Sequence, residues 1–312
     1  MHIELHERFT NEPRARQAQA LTSACVHCGF CLETCPTYLD GRDERDSPRG
    51  RVYLIKALLE EGEAGPATRT HLDRCLTCRN CETTCPSGMQ YGRLLDIGRE
   101  LIEEEAPRAA SGRLVRSLLR FGFSRPSLLR KGLAAGRLVR PFLPAQLKRK
   151  VPPAQQAGAV PQATHARRML VLEGCVQSAA TPLTNAAARR VLDKLGISLV
   201  SMAAAGCCGA LDHHLAAVDS GRDRVRRNID AWWPHVEAGA EAIVASASGC
   251  GVHIADYGHL LADDPAYASK AARISTLFKD LAQVLASEDL GALALQTNIG
   301  KVAVHTPCTL QH

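Results

Sequence analysis

Two runs, CVHCGFCLETCP (Cys25–Pro36) and CLTCRNCETTCP (Cys75–Pro86), write one cysteine spacing twice. Eight thiols at that spacing restrict the fold more than any other feature, because each short run must close around something that holds sulfur. C-x2-C-x2-C-x3-C-P is the ligand run of a [4Fe–4S] cluster, in which short spacers let three thiolates from one turn of chain reach three irons. Structural zinc takes four ligands in C-x2-C pairs. It would leave the third cysteine and the Cys-Pro cysteine unexplained, twice over.

In two-cluster ferredoxins the fourth cysteine of each run ligates the other cluster. Carried over here, Cys25, Cys28, Cys31 and Cys85 hold one cluster, and Cys75, Cys78, Cys81 and Cys35 hold the second. The 39 residues between Cys35 and Cys75 are read as helical. DSPRGRVYLIKALLEEG has Ser47 at the N-cap, Pro48 at the first helical position and Gly62 past the end. A second short helix leads into Cys75. His27 is read as a packing or hydrogen-bonding residue, and Arg49 and Arg51 as a solvated helix start whose charge could raise a nearby cluster's potential.

The chain has 312 residues and 13 cysteines. The start, MHIELHERFT, has no secretory apolar run, so the thiols point to metal binding in a reducing, cytoplasmic setting rather than to disulfides. No run of 18 apolar residues suggests a membrane span. No G-x-G-x-x-G or P-loop fingerprint is present, so no flavin or nucleotide site is expected on this chain, and any two-electron oxidation belongs to a partner. No nucleic-acid partner is expected.

The spacing and composition divide the chain into three zones. Residues 1–105 form an α-helical domain with two [4Fe–4S] clusters, residues 106–165 a basic helical linker, and residues 166–312 an α/β cysteine-rich domain. From Ala106 to Leu172 there are 14 Arg and Lys and no acid. The rest therefore carries 24 bases (38 − 14) against 32 acids. RLVRSLLRF (residues 113–121) reads as an amphipathic helix with Arg113, Arg116 and Arg120 on one side. Such a helix is expected to dock on a negative surface, that of a membrane or of an acidic partner.

In the last zone apolar runs alternate with helical patterns, and Cys175, Cys207, Cys208, Cys250 and Cys308 each follow a predicted strand. RISTLFKDLAQVLAS reads as one amphipathic helix and GKVAVHTPC as a strand. Trp232 and Trp233 are expected to pack, and His213 and His214 to begin a helix near the GCCG turn. The carboxyl edge of a parallel sheet is where ligands bind, so Cys175, Cys207, Cys208 and Cys250 are candidates for a further cluster.

The order Cys175, Cys207–Cys208–Gly209, Cys250 resembles the CCG cysteine-rich domain of heterodisulfide reductases. With CVHCGFCLETCPTY, DSPRGRVYLIKALLE and ASGCGVHIADYGHLL, the chain resembles the iron–sulfur subunits of bacterial glycolate oxidases. The resemblance implies an electron-transfer subunit that is not catalytic alone. It also implies FAD-containing partners that oxidise glycolate to glyoxylate, quinone as the destination of the electrons, and a site on the cytoplasmic side, peripheral to the membrane. The alternatives are the equivalent subunit of anaerobic glycerol-3-phosphate dehydrogenase or of another 2-hydroxy-acid oxidase, or a heterodisulfide-reductase-like catalytic subunit. Against the last, Ala247 stands where the reductases have the first cysteine of a C-x2-C pair. KVAVHTPCTLQH restates RMLVLEGCVQS 133 positions later, which reads as the start of a second CCG repeat in a C-terminally truncated chain.

Overall fold

The computed structural model describes residues 1–295 and 300–312. The chain divides into two compact units, Met1–Leu114 with His305–His312, and Val115–Val304.

The first unit is helical, with α1 (Pro13–Ser23), α2 (Pro36–Gly41), α3 (Pro48–Glu61), α4 (Pro66–Asp73), α5 (Asn80–Thr83) and α6 (Tyr91–Glu105). Its core is Ala15 and Ala18 of α1, Ile55, Leu58 and Leu59 of α3, and Leu94, Leu95 and Leu101 of α6. Ser47 caps α3, its hydroxyl accepting from the Gly50 amide at 2.9 Å. Gly62 stops α3 in the left-handed region at φ +80°, and its amide donates to Leu58 O. Both signals lie where the sequence places them. Gly98 lets α6 approach α3, because a Cβ there would stand 2.6 Å from Ile55 Cδ1.

The second unit opens with α7 (Ala110–Phe123, shared with the first), α8 (Pro126–Val139) and the short α9 (Ala145–Lys148). It continues through β1 (Arg167–Val171), α10 (Gln177–Ala180), α11 (Pro182–Lys194), β2 (Ile197–Ser201), α12 (Ala210–His214), α13 (Val218–Glu237) and β3 (Ile243–Ala245). The remainder is α14 (Ser248–Ala255), α15 (Tyr257–Leu260), α16 (Ala268–Leu277), β4 (Phe278–Asp280) and α17 (Leu281–Ala286); the 308–311 helix, α18 (Cys308–Gln311), belongs to the first unit.

The four strands pair in parallel in the order β2-β1-β3-β4. Successive strand residues face opposite sides. Met169 and Val171 pack with Leu192 of α11, while Leu170 and Leu172 pack with Ile229 and Trp232 of α13 and Ile274 of α16. Both faces are thus covered, as a parallel sheet requires.

Three expectations are corrected. RISTLFKDLAQVLAS is not one helix: α16 ends at Leu277, Phe278–Asp280 extends to pair with β3, and Asp280 opens α17 with a capping box to Gln283. Pairing satisfies the β3 edge, and the box satisfies the amides that an uninterrupted helix would not have freed. Gly300–Cys308 is not a strand, since none of the described residues pairs with it and Val302 and Val304 are exposed.

The third correction concerns α7, which turns its faces the other way round. Arg120 donates to Asp212 Oδ1 at 2.5 Å and to Ser220 Oγ, and Arg116 reaches Leu215 O. Asp212 is buried and also paired with Arg224. A buried carboxylate demands cations, so these arginines point inward, while Leu114, Val115, Leu118 and Phe121 are exposed.

Candidate metal centres

The two cysteine runs share one backbone. His27 and Thr77, the third residues of each first C-x2-C, both take left-handed conformations at φ 55° and 52°. So do the residues after Cys28 and Cys78, Gly29 at 87° and Arg79 at 60°. Non-glycine residues rarely adopt this region, so its recurrence at equivalent positions marks a loop shape the site requires. His27 is exposed and packs edge-on against Tyr53, with ring centroids 6.3 Å apart.

A cavity of about 430 Å³ is lined by Cys25, Cys28, Cys31 and Cys85, with Arg49 and Met89 in its wall. A second, of about 300 Å³, is lined by Cys35, Cys75, Cys78 and Cys81, with Arg51 and Arg79. Pro48, Cys81 and Tyr91 line both. No carboxylate lines either cavity. A four-thiol set without oxygen ligands suits iron–sulfur clusters. Burial pushes the Cys31 thiol up to about 11 and raises Cys81 further. At Cys85 burial opposes ionisation, but the Ser87 hydroxyl at 3.2 Å and the backbone amides of Ser87, Gly88 and Met89 bring the thiol below its ordinary value.

Around the second cavity stands a network the sequence did not announce. Arg51 is fully buried rather than solvated. It donates to His71 O at 2.7 Å, to Thr37 Oγ1 at 3.1 Å and to Asp46 Oδ1 at 3.4 Å. Thr37 Oγ1 lies 3.2 Å from Cys35 Sγ, and the Tyr91 hydroxyl donates to Cys75 Sγ at 3.6 Å. Asp43, Asp46 and His71 bring ligand atoms within 4.8 Å of one another. Asp46, however, is already bonded by His71 and Arg74 at 2.9 and 2.8 Å. Burial works against its charge, yet those bonds hold its carboxyl below the usual range. Nothing local in the sequence separated Arg51 from a surface arginine.

In the second unit the CCG thiols meet at the carboxyl ends of β1, β2 and β3. Gly174, at φ +72°, turns the chain from β1 into Cys175. Cys175 Sγ lies 3.7 Å from Cys207 Sγ. Cys208 bonds to both Cys207 and Cys250, which completes a chain of four sulfurs. Cys175 and Cys208 donate to Cys207, so its thiol ionises well below the ordinary value while theirs rise. Cys250 is likewise lowered by the bond from Cys208. Cys308, placed with the first unit, is exposed and joins none of these.

Two residues not foreseen hold the Cys207–Cys208 turn. Asn228 bonds Gly206 N at 2.9 Å and Cys207 O at 3.0 Å, and the buried Tyr257 hydroxyl donates to Cys208 O at 2.7 Å. Trp232 is buried against Tyr257, and the rings of His213, His214 and His253 cluster nearby with centroids 5.6 to 6.2 Å apart.

Residues 22–89 match the 4Fe–4S dicluster domain family, and residues 169–255 the CCG cysteine-rich domain family. The glycolate oxidase iron–sulfur subunit of Escherichia coli (strain K12) is 51% identical over 313 residues, covering 100% of this chain and 77% of that protein. The probable glycolate oxidase iron–sulfur subunit of Bacillus subtilis (strain 168) is 30% identical over 323 residues, covering 93% and 72%. Lactate utilization protein A of Bacillus velezensis is 30% identical over 122 residues, covering 38% of this chain and 48% of that protein. No solved structure matches significantly. A dicluster domain followed by a CCG domain on a parallel sheet, in one chain alike along its whole length, makes this an electron-transfer component of an oxidoreductase, and the chain belongs to the family of glycolate oxidase iron–sulfur subunits.

Proposed function

We propose that the chain takes electrons from flavin-containing partner subunits that oxidise glycolate to glyoxylate, and passes them toward quinone. In this reading residues 1–105 are the electron-transfer module, 106–165 a linker and 166–312 the CCG domain. Cys25, Cys28, Cys31 and Cys85 hold one [4Fe–4S] cluster, and Cys75, Cys78, Cys81 and Cys35 the other. The observation that carries it is the pair of cavities, each gathering three cysteines of one run and the Cys-Pro cysteine of the other, with Cys81 in the wall they share. A [4Fe–4S] cluster, when bound, accepts and releases one electron at a time. The chain's own residues hold its thiolates, surround them with apolar wall and supply charge nearby. The converging Cys175, Cys207, Cys208 and Cys250 are proposed as ligands of a further cluster. The shorter likeness to lactate utilization proteins fits the same substrate class, a 2-hydroxy acid.

The test is reduction. The reconstituted chain alone should not be reduced by glycolate. With the flavoprotein that co-purifies, glycolate should bleach the cluster absorbance. Bleaching by the chain alone, or bleaching with lactate or glycerol 3-phosphate but not glycolate, would overturn the reading.

We also propose that the basic segment rests on an anionic membrane surface, on the cytoplasmic side. No helix among the described residues is long and apolar enough to cross a membrane. Support comes from the exposed Leu118, Phe121, Leu138 and Phe142, with exposed Arg125, Arg130 and Lys131 near them in the sequence. Each base near an anionic leaflet contributes about 1 kcal/mol. Arg116 and Arg120 are engaged internally, so the informative substitutions are Leu118→Ser with Phe121→Ser, and Arg130→Gln with Lys131→Gln. Both pairs should weaken co-sedimentation with vesicles containing phosphatidylserine, and added salt should weaken it further. Binding indifferent to lipid charge and to both pairs would refute it.

A further inference from the structure

We infer that Arg51, together with the Tyr91 hydroxyl, holds the reduction potential of the cluster at the second cavity above that of the cluster at the first. The inference rests on the ligand assignment proposed above. A cluster's potential rises with nearby positive charge and with hydrogen bonds to its sulfurs. The two cavities differ in both respects.

At the first cavity the cation is Arg49, which is partly exposed and bonded to Glu44 at 2.6 Å. Charge and countercharge cancel there, and solvent screens what remains. At the second, Arg51 has no exposed surface and sits in the cavity wall. Its one carboxylate partner, Asp46, is 3.4 Å away and is shared with Arg74. Arg74 is half exposed and solvent screens it, whereas Arg51 is fully buried in a medium that screens its charge little, and it shares Asp46 with Arg74 rather than holding that carboxylate alone. The Tyr91 hydroxyl adds a donor to Cys75 Sγ.

Burial works in the opposite direction. Cys35 and Cys81 are buried whereas Cys28 is exposed, and desolvation favours the less charged, oxidised cluster. The same desolvation strengthens Arg51, whose little-screened charge in the cavity wall offsets the loss of water from part of the cluster surface. Were both clusters held as proposed, an electron transferred from the first to the second would oxidise the first and reduce the second, and Arg51 with the Tyr91 hydroxyl would set that direction. The second site is then where electrons in this unit accumulate.

Redox titration of the anaerobically reconstituted full chain, followed by EPR, reads the midpoint potentials of the two clusters in this unit, with a Cys207→Ser, Cys208→Ser chain identifying any signal from the CCG cysteines. Cys78→Ser changes the signal of the cluster it would hold and so assigns them. Arg51→Gln should lower the second potential and leave the first in place. Arg51→Lys should restore most of the shift, and Tyr91→Phe should lower the second potential by a smaller step. Iron of at least about eight per chain, as two such clusters require, with the excess over eight belonging to the CCG cysteines, must accompany each reading. Wild-type iron far below that counts against the ligand assignment, not against the role of Arg51. If Arg51→Gln loses its clusters, the wild-type order of potentials and Tyr91→Phe decide. A second potential below the first in the wild type, or one unmoved by Tyr91→Phe and by Arg51→Gln at full iron content, overturns the inference.

Discussion

Cys35 concentrates the argument at the scale of single residues. It sits in the first run by sequence, yet its thiol lines the cavity of the second. Cys35→Ser should therefore remove or alter the cluster signal shared with Cys75, Cys78 and Cys81, while the other signal persists. EPR of the reduced variant checks this, and loss of the Cys25–Cys28–Cys31 signal instead would reverse the assignment. The thiols were legible because ligand spacing is a covalent constraint that no tertiary context can hide. Arg51 was not, because an arginine two residues from another at a helix start looks solvated until His71, whose carbonyl receives it, arrives from α4 and the neighbouring Asp46 is buried beside it. His27 was expected to pack, and it does, but its left-handed backbone and that of Thr77 leave no mark in residue type.

Among the elements, α3 and α6 form the frame on which both cysteine runs hang. Their approach depends on Gly98, where any side chain would press on Ile55. Gly98→Val should destabilise the unit by about 1–3 kcal/mol, the usual cost of overpacking a dense core. Guanidinium denaturation of the holo chain measures it, and an unchanged midpoint would show that the helices can part without loss. The limits of α3 were readable because Ser47, Pro48 and Gly62 act on their own neighbours. The break of α16 into β4 was not, since the same apolar spacing serves a helix until β3 offers an unpaired edge. The faces of α7 were misjudged for a related reason: amphipathicity gives two sides, and only the buried Asp212 says which side turns inward.

For the whole molecule, the sheet gathers what the sequence disperses. Cys175, Cys207, Cys208 and Cys250 span 76 positions (250 − 175 + 1), and parallel pairing brings their strands' carboxyl ends together. The strand-to-cysteine rhythm made that convergence legible, but the supports from α13 and α15 were not, because Asn228 and Tyr257 have no local signature. Tyr257→Phe removes the donor to Cys208 O and a partner of Asn228 from three elements at once. It should cost about 1–3 kcal/mol, the penalty of leaving buried polar groups unmet, and speed alkylation of Cys207 and Cys208. Thermal unfolding and thiol labelling together check it, and unchanged rates in both would show that the turn holds itself.

Pro48, Cys81 and Tyr91 form a party wall between the two cavities. Two rooms that share a wall cannot be furnished independently: whatever first fixes the wall from one side has half-built the other. If the centres form there as proposed, partial reconstitution should give mainly empty and fully loaded chains, which native mass spectrometry would count, and a large half-loaded fraction would refute the coupling.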